Sequence, residues 1–202
     1  MKKFVKIVLP VALVLLLTVS GCGNSGSSFD KLVSERRSVR SYDATKKITE
    51  DEVRTIIATA QEAPSWANVQ STHYYAVMSE EKLNALQPLM GQNAKNTADV
   101  NVVIVTTYKR GESGFFDGKA SNEIGDGWGA FDNGLSNAFL ILKAKDMGFD
   151  TLIMGLRDAD GLHRLLDIPS DEVVTSVIAL GYGKAVPSRP VRKQLHEILR
   201  FF

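Results

Sequence analysis

Cysteine is almost missing from this 202-residue chain, which holds one, Cys22. A single thiol cannot close an intrachain disulfide. Histidine is scarce as well. His73, His163 and His196 are far apart and share no ligand spacing, so neither a metal centre nor a Ser-His-Asp triad has support. There is no P-loop and no internal repeat. Neither sign of charge dominates, with 24 basic side chains against 23 acidic ones and a net +1. Such a balance gives no global attraction to nucleic acid, so basic residues matter only where they cluster. The 44% hydrophobic and 23% charged composition suits one domain with a sizeable core.

The first residues do not belong to that core. Lys2, Lys3 and Lys6 make a basic start, and Val8 to Leu17 is apolar except for Pro10. Val19-Ser20-Gly21-Cys22 follows. A basic segment, an apolar segment and small residues before a cut describe a secretory signal. Its end at Cys22 resembles a bacterial lipobox, which implies residues 1–21 as a lipoprotein signal peptide and Cys22 as the lipidated residue. The protein would then face outside the cytoplasm on a lipid anchor in the cell membrane. Loss of residues 1–21 removes three lysines and no acids, leaving 21 basic against 23 acidic, or −2. Gly23 to Ser28 reads as flexible, so residues 22–28 form a tether and residues 29–202 the folded domain.

Within that domain, Thr49-Glu50-Asp51-Glu52 is a capping box that opens a helix carrying Val53, Ile56, Ile57 and Ala60. His73–Met78 reads as a strand, and Ser79 caps a helix from Glu80 to about Met90. Val100–Thr106 is a buried strand. Residues 108–130, with six glycines, read as a long irregular loop. Gly125-Asp126-Gly127-Trp128-Gly129 follows no strand and is therefore not a dinucleotide loop. Phe131, Leu135, Ala138, Phe139 and Leu142 mark a long amphipathic helix closed by Gly148. Strands at Asp150–Met154 and Val173–Leu180 flank a helix at Leu162–Leu166, capped by Asp158 or Asp160. No hairpin signal separates the strands. The class is α/β or α+β around a central sheet.

The densest chemistry lies in Arg36-Arg37-Ser38-Val39-Arg40. Guanidinium groups bind phosphate bidentately and stay charged, and a serine hydroxyl adds a short donor. A Pro64-Ser65-Trp66-Ala67-Asn68-Val69-Gln70 loop, a Met154-Gly155 loop and a Gly181-Tyr182-Gly183 arm running to Arg192-Lys193 follow in order. Together these landmarks resemble the FMN-dependent nitroreductase family over residues 29–202. The resemblance implies an α+β three-layer α-β-α fold with a central mixed, mainly antiparallel sheet, in an intertwined homodimer that binds FMN non-covalently between subunits. It places Arg36 and Ser38 on the phosphate and ribityl end, Arg37 as a further contact, and Arg40 near the pyrimidine edge. Arg192 matches a late phosphate-binding arginine, with Lys193 beside it. Pro64, Ser65, Trp66 and Asn68 would line the ring from the partner subunit. Gln70 either joins them or pins the loop, and Trp66 either stacks near the ring or anchors the interface. Met154 and Gly155 would aim backbone N–H groups at the flavin.

The chain departs from the family at Gln70-Ser71-Thr72, where relatives carry Gln-Pro-Trp. It also departs at Leu156, which stands in place of a second glycine, and at Asn93 and Lys95, which have no clear match. The resemblance implies an oxidoreductase working by a ping-pong mechanism, from NAD(P)H or a membrane carrier to a nitro, quinone or similar acceptor. No side-chain general acid is evident. The alternative is a lipid-anchored flavin- or ligand-binding protein without turnover.

Overall fold

A computed structural model describes residues 28–202. The expected signal peptide, Cys22 and most of the expected tether lie outside those residues. The chain runs through α1 (Ser28–Glu35), α2 (Glu50–Gln61), β1 (Thr72–Val77), α3 (Glu80–Leu86), β2 (Val102–Lys109), β3 (Phe115–Phe116) and β4 (Lys119–Ala120). It continues with α4 (Gly127–Asp146), β5 (Asp150–Met154), α5 (Ala159–Leu166), β6 (Glu172–Gly181) and α6 (Leu195–Ile198). Short 3-10 turns occupy Trp66–Asn68 and Gln87–Asn96.

The central sheet has the order β1-β2-β6-β5, and every strand pairing in it is antiparallel. Its one parallel element is a bridge from Ser38 to Thr151. Period-two alternation explains the layers. Val103 and Val105 of β2 point into one apolar cluster with Leu86 and Leu162, under α3 and α5. Val102 and Ile104 point the other way, into a second cluster with Ile56 and Leu140, under α2 and α4. Both faces of β2 are therefore dry, and the result is the expected three-layer α-β-α arrangement.

Local signals hold at several ends. Thr49 Oγ1 accepts the Glu52 N–H, and Glu52 accepts the Thr49 N–H at 2.7 Å, which completes the capping box. Ser79 caps α3, and Asp158 rather than Asp160 caps α5. Pro88 follows the end of α3, and the chain tightens into a 3-10 turn before Met90.

Two expectations need correction. Residues 108–130 are not one loop. β2 continues to Lys109, and β3 and β4 form a hairpin turned by Asp117-Gly118, both left-handed at φ 48° and 73°. That pair is an Asp-Gly hairpin signal, masked by the shortness of its strands. The second correction concerns α4. It exists and Gly148 (φ 86°) follows its end, but much of the stripe that marked it faces outward: Phe131 is 55% and Phe139 37% exposed, Ala138 is also exposed, and Leu135 and Leu142 are half-buried. The face packed inward is polar or small in its first turns, with Gly129, Asp132, Asn133, Ser136 and Asn137, and turns apolar at Leu140 and Ala144.

That polar face has a reason. The β2–β6 register slips between Thr106 and Thr107, and Thr175 is the extra residue. Asn133 Nδ2 donates to the Thr107 carbonyl at 3.0 Å, and Thr175 Oγ1 donates to Asn133 Oδ1 at 2.6 Å. Asn137 Nδ2 donates to Asn133 Oδ1 at 2.9 Å. The bulge leaves ladder groups that an apolar helix face would strand.

Close approach of α4 to the sheet also needs Gly129, where a Cβ would lie 2.2 Å from the buried Tyr108 ring. Gly129→Ala is expected to destabilise the fold by about 1–3 kcal/mol through overpacking. Thr49→Ala should cost about 1 kcal/mol through the lost cap. Urea denaturation of both variants checks the two figures.

Candidate functional site: two half-sites on one sheet

The arginine segment lies along the free edge of β5. The Val39 N–H donates to the Thr151 carbonyl at 3.0 Å. Val39 and Tyr42 are buried, while Ser38 before them and Arg40 and Ser41 between them are exposed. Tyr42 locks the turn by donating its hydroxyl to the Val39 carbonyl at 2.8 Å. Burial, with the Asp150 carboxylate adding to it, pushes the Tyr42 phenol well above its ordinary value, so it stays a neutral donor. Arg36 and Arg37 are half-buried. Arg37 Nη1 donates to the carbonyls of Ser34 (2.6 Å) and Arg36 (2.8 Å), closing the C-terminus of α1.

The β5 exit is braced from behind. Arg157 Nη1 donates to the Gly155 carbonyl at 2.8 Å, and its Nη2 donates to Val174. Asn93 Nδ2 donates to the Leu156 carbonyl at 3.2 Å. Sequence reasoning left Asn93 without a match and missed Arg157, although a guanidinium two residues beyond Gly155 was a visible signal. Met154 is buried, and Gly155 and Leu156 are exposed.

The second half-site is the loop between α2 and β1. Three non-glycine residues there adopt left-handed backbone: Ala67 (φ 43°), Asn68 (φ 57°) and Gln70 (φ 57°). Asparagine tolerates this region, but alanine and glutamine do so at roughly 1–2 kcal/mol each. Such strain persists only where the surroundings over-determine it, and it concentrates at functional sites. Ser65 Oγ accepts the Gln70 N–H at 3.0 Å, so these two predicted contacts also pin the loop. Asp132, 3% exposed, accepts the Trp66 N–H at 2.9 Å. Trp66 packs on Trp128 at 4.8 Å and Phe116 at 5.9 Å, and Phe131 extends the cluster at 5.4 Å from Trp128. Pro64, Ser65, Gln70, His73 and Asp132 share the wall of a cavity of about 260 Å³.

His73, one of those wall residues, also reaches a buried carboxylate. Glu172 accepts the Tyr75 hydroxyl at 3.0 Å and the Thr107 hydroxyl, and sits 3.4 Å from His73 Nδ1.

The two half-sites do not meet within one protomer. Thr72, where the loop enters β1, pairs with Tyr108, whereas Thr151 pairs with Leu180 and hence lies level with Val102. The separation is about 14 Å across the sheet and about 20 Å along the strands, from opposite corners. Arg192 and Lys193 join neither corner. They are exposed on a terminal segment, and the hydrogen bonds of residues 194–200 stay within it.

The fold and these half-sites define an α-β-α protein with a basic, anion-suited strand edge and a strained aromatic loop. The nitroreductase family matches residues 33–182, and the chain belongs to that family. A protein of Archaeoglobus fulgidus, under the provisional name of NADH dehydrogenase/NAD(P)H nitroreductase, is 29% identical over 160 residues, covering 76% of this chain and 84% of its own. Two solved structures superpose with the same architecture. One is a nitroreductase, provisionally so described, from Exiguobacterium sibiricum in complex with FMN; its TM-score is 0.78 at 22% identity, over 88% of this chain and 98% of that one. The other is CLA-ER, an enone reductase of gut-bacterial fatty acid saturation, with TM-score 0.76 at 19% identity over 87% and 98%. At these identities the structural likeness is one of fold.

The residues present fit a flavin mononucleotide. Among the described residues, four buried side-chain polar atoms lack a protein partner: Arg37 Nε, Trp66 Nε1, Arg157 Nε and Asn137 Oδ1. The first three belong to, or brace, segments expected at the cofactor. Among the described residues no group of three or more His, Cys, Asp or Glu is placed to hold a metal.

Tyr75 gives a pH-dependent check on the Glu172 cluster. Burial, and then the Glu172 carboxylate that accepts its hydroxyl, push the phenol from 10.0 up to about 12. The shift is upward, so its stabilisation is complete below pH 10 and is lost as pH rises through about 12. Loss of the hydroxyl's hydrogen bond to Glu172 should leave Tyr75→Phe less stable than the parent by about 1 kcal/mol at neutral pH. Denaturation from pH 10.0 to about 12, the interval between the two phenol values, should show that gap closing.

Proposed function

We propose that this chain is an FMN-dependent oxidoreductase acting as a homodimer, with each flavin held between subunits. The carrying observation is the separation of the half-sites to opposite corners. One isoalloxazine ring does not reach both corners of one protomer, so the loop at 64–70 serves the flavin bound at the partner's arginine edge. Exposed apolar surface supports the pairing. The outward stripe of α4 includes Phe131 and Phe139, and the terminal segment exposes Val191 (95%), Leu195 (71%) and Phe201 (89%). β1 is a free sheet edge beside a groove of about 920 Å³ lined by Val53, Ile57, Tyr74 and Met78. A terminal segment crossing from the other subunit would cover that edge and bring Arg192 and Lys193 toward a flavin phosphate.

In this reading Arg36 and Ser38 bind the phosphate and ribityl end. Arg40 stands by the pyrimidine edge, where a cation favours the negative charge of the reduced ring. Asn68 donates and accepts along the same edge. The exposed Gly155 backbone, braced by Arg157 and Asn93, lies against the ring. When bound, the flavin supplies the redox chemistry, passing electrons in ping-pong fashion from NAD(P)H or a membrane carrier to a nitro, quinone or similar acceptor. The aromatic cluster of Trp66, Phe116 and Trp128 supports a planar acceptor.

We place the protein on a lipid anchor at Cys22, facing outside the cytoplasm, which favours a membrane carrier over NAD(P)H as donor. Among the described residues no helix is long and apolar enough to cross a membrane.

The purified chain is expected to be yellow, with one FMN per subunit and the mass of a dimer. Arg36→Ala should weaken FMN binding by about tenfold or more, as expected for a lost charge-assisted contact. Removal of residues 186–202 should give a colourless monomer. Mixed anaerobically, the reduced protein should pass electrons to quinones or nitroaromatics much faster than free reduced flavin does. Slow transfer with full flavin occupancy would favour a binding protein without turnover, and a colourless monomer that takes up no FMN would refute the flavin reading.

A further inference from the structure

Asp132 has no place in the flavin contacts above, yet it is a buried carboxylate with two donors on one oxygen. Its Oδ2 accepts the Trp66 N–H at 2.9 Å and the Ser113 hydroxyl at 2.7 Å. Ser113 and Ser71, each 1% exposed, have their hydroxyl oxygens 2.8 Å apart. Ser113 spends its single proton on Asp132, so Ser71 must be the donor between the two. The chain therefore runs Ser71 to Ser113 to Asp132, with Trp66 as the second donor. It ties together the strained loop, the first residue before β1, the segment leading into the β3–β4 hairpin, and α4. A second link runs in parallel, since Phe116 on the hairpin packs against Trp66. The left-handed Ala67, Asn68 and Gln70 lie directly between the two tied points, Trp66 and Ser71.

We propose that Asp132 and Ser113 are positioning residues that make the 64–71 loop and the β3–β4 hairpin one cooperative unit. The strained loop keeps its form because a buried carboxylate holds the Trp66 N–H, just ahead of the left-handed residues, and the hairpin is bound into the same network. Displacement of the hairpin, as on entry of a bulky acceptor beside Phe116, is then transmitted to the loop. This consequence for the cofactor rests on the flavin reading above; the coupling itself does not.

Amide hydrogen exchange on the full chain tests the coupling without added cofactor. Asp132→Ala should speed exchange about tenfold or more both at 65–71 and at 111–120, because loss of a charge-assisted hydrogen bond opens both. Ser113→Ala, a milder change that keeps the carboxylate, should also loosen both segments. Asp132→Asn keeps an acceptor oxygen in place and should restore both. FMN affinity should fall about tenfold in Asp132→Ala and recover in Asp132→Asn. Exchange in Ser113→Ala that rises only at 111–120 would overturn the proposal, as would Asp132→Asn behaving like Asp132→Ala. Parent protein that takes up no FMN would refute the flavin reading, while the exchange data would still decide the coupling.

Discussion

Burial of β2 and β6 on both faces governs the rest of this molecule. Neither strand has a wet side: Val102 to Val105, and Val177 to Leu180, are all essentially inaccessible. Each face needs its own helical cover, which is why α2 and α4 lie on one side and α3 and α5 on the other. Interior strands also leave no free backbone for binding. The groups free to act are pushed to the margins, at the outer edge of β5 and the entry to β1. The chemistry of this protein is marginal in that literal sense.

The cost of a dry, two-faced sheet shows where it is interrupted. The bulge at Thr106 and Thr107 leaves unpaired ladder groups inside the core, and α4 meets them with Asn133 and Asn137. A helix that turns polar groups inward must put its apolar residues elsewhere. Phe131 and Phe139 consequently face outward. One irregularity in strand register thus reverses the usual amphipathicity in the first turns of the longest helix and leaves exposed apolar residues suited to another surface.

Much of this was legible beforehand, for identifiable reasons. Thr49, Ser79 and Asp158 announced helix starts because a cap is a local bond between near neighbours. The strands of the core showed as β-branched runs. Arg36–Arg40 and the loop at 64–70 were visible as residue types in order. Asp132, Ser113 and Glu172 were not, because their partners are distant in sequence: Trp66 lies 66 residues from Asp132, and Thr107 lies 65 from Glu172. An inward polar residue on a helix looks like a solvent-facing one until the bulge it serves is known. The inverted face of α4 was missed for the same reason. The Asp117-Gly118 turn was a local signal that could have been read.

The division of the candidate site between opposite corners has a genetic consequence. In the composite arrangement, a subunit with a damaged arginine edge still offers a sound loop, and a subunit with a damaged loop still offers a sound edge. Two lesions in one gene, each sufficient to silence a protein made of identical copies, would then complement one another. A mixed pair would keep one unbroken site, made of the intact corner of each subunit, beside one that is doubly broken. Alleles of a single locus would sort into two groups, and the boundary between them would follow the diagonal of the sheet rather than any segment of the sequence.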